Sequence, residues 1–130
     1  MSDCVSDTHA LYWYLTARPR LGENAHAAFL AAEQGQAIVY IPSIVIAELY
    51  YLNAKLGQPL NFAQEFQRLS AAGQFRFVDF RAVDALRFDG LIAIPEMHDR
   101  MIAGVAHMLG LPLLTQDHAI LNSGLVQTIW

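Results

Sequence analysis

Four carboxylates lie at positions of this sequence where they could act as catalytic or metal-binding groups: Asp7, Glu48, Asp99 and Asp117. Glu48 is the most conspicuous, because it lies within the apolar stretch SIVIAELYYL. An ionised glutamate in such surroundings loses much solvation energy unless a cation or hydrogen-bond donors meet it. The sequence therefore predicts that Glu48 has a partner.

A shared site for these acids would need a cation. Two carboxylates about 5 Å apart repel by roughly 3 kcal/mol at an effective dielectric of about 20, so four together require protonation or a bound ion. Oxygen ligands favour Mg²⁺ or Mn²⁺ over zinc. Such an ion lowers the pKa of a bound water and neutralises charge on a phosphodiester. The acids thus indicate metal-assisted phosphodiester hydrolysis.

Simpler roles are open for each acid. Asp7, Asp99 and Asp117 each precede helical sequence and could serve only as N-caps, worth about 1 kcal/mol. Glu48 could instead form an ion pair with Lys55 or with an arginine.

Histidines supply a competing chemistry. His9, His98 and His118 each lie within two residues of a candidate acid. A histidine pair could cleave RNA through the 2′-hydroxyl without metal. Zinc-ligand spacing is absent, and a surface or supporting role is the commoner fate of an isolated histidine.

The elements that must position these residues alternate between strands and helices. The strands are predicted at CVSD, AIVYI, FRFVDF, LPLLT and VQTIW. The helices are predicted at THALYWYLTAR, ENAHAAFLAAEQG, PSIVIAELYYLNAKLG, FAQEFQRLSAAG after an Asn61 cap, AVDALRFDGLIA and DRMIAGVAHMLG, with a helical turn at DHAIL. Gly35, Gly57 and Gly110 are expected to end three of them. The alternation predicts an α/β fold with a parallel sheet covered on both faces.

Parallel sheets bind ligands outside the carboxyl ends of strands, where the strand order switches. Asp7 ends the first predicted strand, and Asp117 follows the fourth by two residues. Asp99 is expected to begin the helix before the fourth strand, and Glu48 lies about a turn and a half into its own helix. We expect all four on the same side of the sheet.

Composition limits the class of protein. The 130 residues include 55% apolar and 15% charged residues, and the net charge is −4, which argues against a broad basic face for nucleic acid. Without the four candidate acids, the remaining 8 of 12 acidic residues balance the 8 Lys and Arg. No apolar run could span a membrane, the basic start of a signal peptide is missing, and Cys4 is alone. We expect a single soluble cytoplasmic domain over residues 1–130.

Four blocks carry a family resemblance: VSDTHALYWYL, IPSIVIAELYYL, IPEMHDRMIAGVAHMLGLPLLTQDHAI and VQTIW. In this order they resemble a PIN domain, and most closely the VapC-type toxins of bacterial toxin–antitoxin pairs. The resemblance implies a single PIN-like domain, a five-stranded parallel sheet flanked by helices on both faces. It also implies a metal-dependent ribonuclease site.

The resemblance assigns roles to particular residues. It implies that Asp7, Glu48, Asp99 and Asp117 are both the catalytic residues and the ligands of Mg²⁺ or Mn²⁺, with Thr8 and Thr115 as supporting hydroxyls. The sequence departs from the family at His118, where an acid is common, and at Gly104, where alanine is usual.

The expected function is that of a toxin that hydrolyses RNA with a metal-activated water and is held by a cognate antitoxin. The alternatives are a metal-independent, histidine-based ribonuclease and a non-catalytic, receiver-like α/β module. A receiver would need an acidic pair at its first strand and a phosphoacceptor at a central one, whereas AIVYIPS offers no acceptor.

Two expectations concern surfaces. The helix from Ser43 to Leu56 is apolar almost all round, and Tyr12, Trp13 and Tyr14 are consecutive, so we expect a homodimer that uses part of both helices and an apolar groove for an antitoxin segment. RNA phosphates are expected to meet the basic residues nearest the acids, namely Arg18, Arg20, Lys55 and Arg100.

Overall fold

Five short strands form one parallel sheet in the computed structural model, which describes residues 2–130. The strands are β1 (Cys4–Ser6), β2 (Val39–Pro42), β3 (Phe75–Val78), β4 (Leu113–Leu114) and β5 (Thr128–Ile129). The helices are α1 (Thr8–Leu15), α2 (Glu23–Glu33), α3 (Ser43–Lys55), α4 (Phe62–Ala71), α5 (Met97–Leu109) and α6 (His118–Ser123), with a 3₁₀ helix at Ala82–Leu91.

The strand order is β3-β2-β1-β4-β5. The chain builds outward from β1 to β3 and then returns to add β4 on the other side of β1, where Val5 pairs with Leu113 and Ser6 with Leu114. The carboxyl ends of β1 and β4 are therefore the switch point at which such sheets bind ligands. Receiver domains have the order 2-1-3-4-5, so this chain does not have the receiver topology.

The central strands are buried on both faces. Cys4, Val5 and Ser6 are all 1% exposed or less, and consecutive strand residues point to opposite faces. Helices must therefore cover both faces of the sheet, as predicted. Within residues 2–130, none of the helices is long and apolar enough to cross a membrane.

The predicted glycine stops are confirmed, and α1 ends in the same way without a glycine. Gly35, Gly57 and Gly110 have φ values of +75°, +86° and +65°. At the end of α1, Ala17 takes this left-handed conformation with φ +53°. The N–H of Arg18 donates to the carbonyl of Trp13 at 2.9 Å, and that of Ala17 to Tyr14 at 3.2 Å. This is the Schellman arrangement, which an L-residue with a Cβ adopts only at a cost.

Two predicted helices differ in detail. The helix at Ala82–Leu91 is a 3₁₀ helix, whose first turn is held by Arg81, because both its backbone N–H and its guanidinium donate to the Asp84 carboxylate. The helix α5 begins at Met97, so the expectation that Asp99 begins it is wrong. Glu96 has extended backbone and caps α5 instead, because its carboxylate accepts the N–H of Asp99 at 2.8 Å.

Candidate active site

Asp7 lies between the end of β1 and the start of α1. Its Oδ1 accepts the N–H of Ala10 at 2.8 Å, so the capping role is real. Burial raises the pKa of Asp7 above its usual value, opposed by hydrogen bonds from the Thr115 hydroxyl and the Ala10 N–H, and Asp117 raises it further. Asp7 is therefore a cap that also faces a second acid.

Glu48 has two partners, and neither is a lysine or arginine. Its Oε1 accepts the hydroxyl of the buried Thr8 at 2.7 Å, and its Oε2 lies 3.2 Å from Nδ1 of His98. Within residues 2–130 no Lys or Arg nitrogen is within 4.0 Å of its carboxylate. The proposed pair with Lys55 or an arginine is wrong. Glu48 points instead toward the carboxyl end of β1, near which Thr8 lies.

Asp117 caps α6 and contacts Thr115. Its Oδ1 accepts the N–H of Ile120 at 3.1 Å, while its own N–H donates to Oγ1 of Thr115 at 3.1 Å. Thr115 is fully buried, and its hydroxyl lies near enough to Asp7 to oppose the rise in the pKa of that carboxyl. Thr115 thus lies between Asp7 and Asp117.

Asp99 is the acid whose pKa is raised by the charges of all three other predicted acids. It lies in the first turn of α5, where its N–H, but not its carboxylate, is used by the Glu96 cap. Burial is the largest cause that raises the pKa of Asp99 to about 6, followed by the charges of Asp117, Glu96, Glu48 and Asp7. The four predicted acids are therefore close enough to repel one another, and the capping interpretation of Asp99 is wrong.

Glu96 is a fifth acid that the sequence interpretation missed. Burial opposes its ionisation, but the N–H groups of His98 and Asp99 hold the pKa of Glu96 below its usual value. Glutamate is not among the preferred N-cap residues, so residue type gave no signal. The available signal was Pro95, which disfavours helical backbone before it and so marks a boundary.

The donor chemistry of the cluster fits a hard divalent cation. Its side chains offer carboxylate and hydroxyl oxygens, and their repulsion is not neutralised by a lysine or arginine within 4.0 Å in the described part of the chain. However, across residues 2–130 no three side chains of His, Cys, Asp or Glu already form a ready ligand set. Ion binding therefore requires that some of these carboxylates rotate toward one another.

The three histidines have different surroundings. His98 is half-buried and contacts Glu48. His9 is exposed, and its ring centroid lies 5.3 Å from that of Trp13. His9 is also near enough to Asp7 to lower the pKa of the Asp7 carboxyl. His118 is exposed at the start of α6. Only His98 hydrogen-bonds a candidate acid.

Comparison with known proteins identifies the family. The sequence profile of the PIN domain matches residues 4–122. The chain belongs to the PIN domain family. A search of curated proteins gives no match.

Several solved structures share the fold of this PIN domain. One is the VapBC2 complex of Rickettsia felis, bound to a promoter DNA fragment, with 20% identity over 99% of this chain and 98% of that chain and a TM-score of 0.69. A second is FitAcB from Neisseria gonorrhoeae, with 21% identity, 98% and 96% coverage and a TM-score of 0.69. A third is PAE2754 from Pyrobaculum aerophilum, with 21% identity, 98% and 92% coverage and a TM-score of 0.60. The predicted resemblance to a PIN domain is confirmed.

Proposed function

We propose that residues 1–130 act as a single PIN-like domain, a cytoplasmic endoribonuclease that depends on Mg²⁺ or Mn²⁺ and serves as the toxin of a toxin–antitoxin pair. The observation that carries the proposal is the raised pKa of Asp99, about 6, to which Asp117, Glu48 and Asp7 contribute beside burial. Repulsion of this kind is relieved when a divalent cation joins the carboxylates. PIN family membership supports a nuclease.

In the proposed site, Asp7, Glu48 and Asp99 hold the ion, and Asp117 binds it directly or through water. When bound, the ion would supply a water of lowered pKa and neutralise charge on the phosphodiester. The hydroxyl of Thr8 holds one oxygen of Glu48 and leaves the other toward His98. Thr115 lies between Asp7 and Asp117.

The test is cleavage of total RNA by the purified protein with Mn²⁺, with EDTA, and with a panel of isosteric variants. Asp7→Asn and Asp99→Asn should abolish cleavage, and Glu48→Gln and Asp117→Asn should reduce it, by about 10²-fold or more for a direct ligand. Asp89→Asn is the matched control, because Asp89 is an exposed acid of the 3₁₀ helix, and it should keep full activity. Full activity in EDTA, or in Asp99→Asn, would rule out the metal mechanism.

A histidine-based ribonuclease is the second candidate, favoured only by the contact between His98 and Glu48. In the metal mechanism, His9→Gln, His98→Gln and His118→Gln each lower activity within about tenfold. A loss of about 10³-fold at two of them, in a reaction that needs no metal, would establish the histidine mechanism instead.

We propose a cognate antitoxin and a second copy of the chain as protein partners. Among the structures of similar fold, VapBC2 is bound to a DNA fragment from its promoter and FitAB is bound to an IR36 DNA fragment. In this chain, the exposed apolar side chains of α3 and its neighbours support such contacts: Tyr50 is 52%, Tyr51 73% and Leu56 52% exposed. Sedimentation at micromolar concentration tests the homodimer, and a clean monomer of 14.5 kDa would contradict it.

A further inference from the structure

The basic residues of this chain divide into those already engaged and those left open. Arg68 pairs with Glu65 at 3.0 Å, Arg81 pairs with Asp84 at 2.9 Å, and Arg100 donates from Nε to the carbonyl of Ile94. Arg100 is half-buried and engaged inside the fold, so the sequence expectation that it meets RNA loses support. The other basic residues have no carboxylate within 4.0 Å in the described chain: Arg18, Arg20, Lys55, Arg76 and Arg87.

Two of these open residues, Arg18 and Arg20, share one cleft in the loop between α1 and α2. The cleft has a volume of about 600 Å³, and its lining includes Trp13 and His26 as well as the two arginines. Glu23 is the acidic residue among its lining side chains. The side chains that line the cleft thus include two exposed guanidinium groups and one carboxylate, in a chain whose net charge is −4.

The cleft is held in shape by contacts around Trp13, which forms its floor. The guanidinium of Arg20 lies 5.6 Å from the Trp13 ring centroid, and Trp130 packs edge-on against the same ring at 5.6 Å. The left-handed Ala17 and the hydrogen bond from Arg18 N–H to Trp13 fix the start of the loop. Hydrogen bonds thus define the backbone at the start of the loop, and Arg20 packs against Trp13.

Helix α1 connects this cleft to the acids. Its cap is Asp7, and the exposed ring of His9 packs 5.3 Å from Trp13, one turn further along the helix. The whole helix has eight residues, about 12 Å at 1.5 Å per residue. One acid thus caps this short helix, an exposed aromatic ring lies in its first turn, and the two guanidinium groups belong to the loop that follows it.

We propose that the α1–α2 loop is a backbone subsite for single-stranded RNA as it leaves the acidic site. Arg18 and Arg20 bind phosphates, and the exposed ring of His9 offers a face on which a base can stack. The inference rests on the proposed ribonuclease function and adds where its substrate lies. An acidic protein segment is the competing occupant of this cleft.

The experiment measures the binding of a fluorescent single-stranded oligoribonucleotide to Asp99→Asn protein in Mn²⁺ over a range of salt concentrations. Adding Arg18→Gln and Arg20→Gln together should weaken binding about tenfold at low salt and make the slope of log K against log salt shallower by about 1.4, since each phosphate contact contributes about 0.7 on single strands. Arg76→Gln with Arg87→Gln is the matched control, because it removes two exposed arginines elsewhere. Glu23→Gln should tighten binding.

A parallel titration with polyglutamate tests the acidic protein segment. Four outcomes overturn the subsite: an unchanged slope in the Arg18→Gln/Arg20→Gln double variant, an equal change in the control pair, weaker RNA binding in Glu23→Gln, or a double variant that loses polyglutamate binding and keeps RNA binding. The last outcome would assign the cleft to an acidic protein. If wild-type protein still cleaves RNA, such a result removes the subsite alone. If wild-type protein neither binds nor cleaves RNA, the proposed function fails and the subsite with it.

Discussion

Helices α1 and α3 are similar in apolar composition but differ in how far the fold buries their aromatic side chains. Each follows a central strand, each brings one candidate acid to the site, and each is apolar almost all round. In α1, Tyr12 is 1% and Trp13 8% exposed, and Tyr14 stacks on Phe29 at 4.1 Å. In α3, consecutive tyrosines are exposed, with Tyr51 at 73%.

The packing around each helix accounts for the difference. α1 packs against α2 and α3, and Trp130 packs against Trp13 near its end. α3 packs against α1 and α5, and the surface that carries Tyr50 and Tyr51 is left open. Apolar composition therefore shows that a helix face should be buried. The arrangement of the neighbouring elements decides whether the fold buries it or leaves it exposed. Of the two helices expected at a protein interface, α3 is the one with exposed aromatic surface.

Replacing one aromatic residue in each helix should give the largest contrast. Trp13→Ala leaves a cavity between α1, His9 and Trp130 and should cost about 3–5 kcal/mol of unfolding free energy. Tyr51→Ala removes an exposed side chain and should change it by less than about 0.5 kcal/mol. Urea denaturation at low protein concentration, where the chain is monomeric, measures both. Equal losses in the monomeric protein would contradict the exposed position of Tyr51.

The acids carried by the two helices should act together on Asp99 in metal-free protein. After burial, Asp117 and Glu96, the charges of Glu48 and Asp7 contribute to its pKa of about 6, against 3.8 normally. A carboxyl whose folded pKa is raised favours folding when protonated, so its contribution is full below about pH 4 and is lost as the pH rises through about 6. In EDTA, Asp99→Asn should therefore be more stable than wild type at pH 7.5, by about 1 kcal/mol after solvent screening, and not at pH 4.

The same variant separates electrostatic relief from ion binding. Excess Mn²⁺ at about 100 times its dissociation constant should stabilise wild type by about 2.7 kcal/mol and Asp99→Asn far less. Thermal unfolding with and without Mn²⁺ measures this difference. An equal Mn²⁺ shift in both proteins would place the ion elsewhere.

The ends of the two helices allow a reciprocal exchange. Both have the Schellman arrangement, in which the N–H of Gln58 donates to the Asn53 carbonyl at 2.8 Å as that of Arg18 does to Trp13, but α3 has Gly57 where α1 has Ala17. Ala17→Gly should stabilise the protein by about 0.5–1 kcal/mol, and Gly57→Ala should destabilise it by about 1 kcal/mol although its Cβ would meet no atom within 4 Å. Changes of the same sign would show that backbone conformation does not control these sites.

The smallest contrast concerns two hydroxyl groups. Among residues 2–130, the hydroxyl of Tyr12 is the buried side-chain polar group without a hydrogen-bond partner. Tyr12→Phe should therefore be neutral or stabilising by up to about 1 kcal/mol, whereas Tyr51→Phe should have no effect. A clear destabilisation by Tyr12→Phe would reveal a partner such as an ordered water.

The sequence allowed prediction of the strand–helix alternation, of the three glycine stops and of the PIN family, because each depends on local patterns. It also placed Asp7 and Asp117 at strand ends, where both are found. The partners of Glu48 could not be predicted, because Thr8 and His98 are 40 and 50 residues away in the sequence and meet it only through the sheet order. The Glu96 cap and the Ala17 turn were missed because neither residue type is preferred there.

The acidic site joins two strand ends that lie far apart in the sequence. Asp7 follows β1, whereas Thr115 and Asp117 follow β4 and are made more than 100 residues later. Pairing of β1 with β4 must close this long loop, and such non-local contacts form slowly. A nascent chain therefore has no complete acidic site until β4 and Asp117 have been made and β4 has paired with β1.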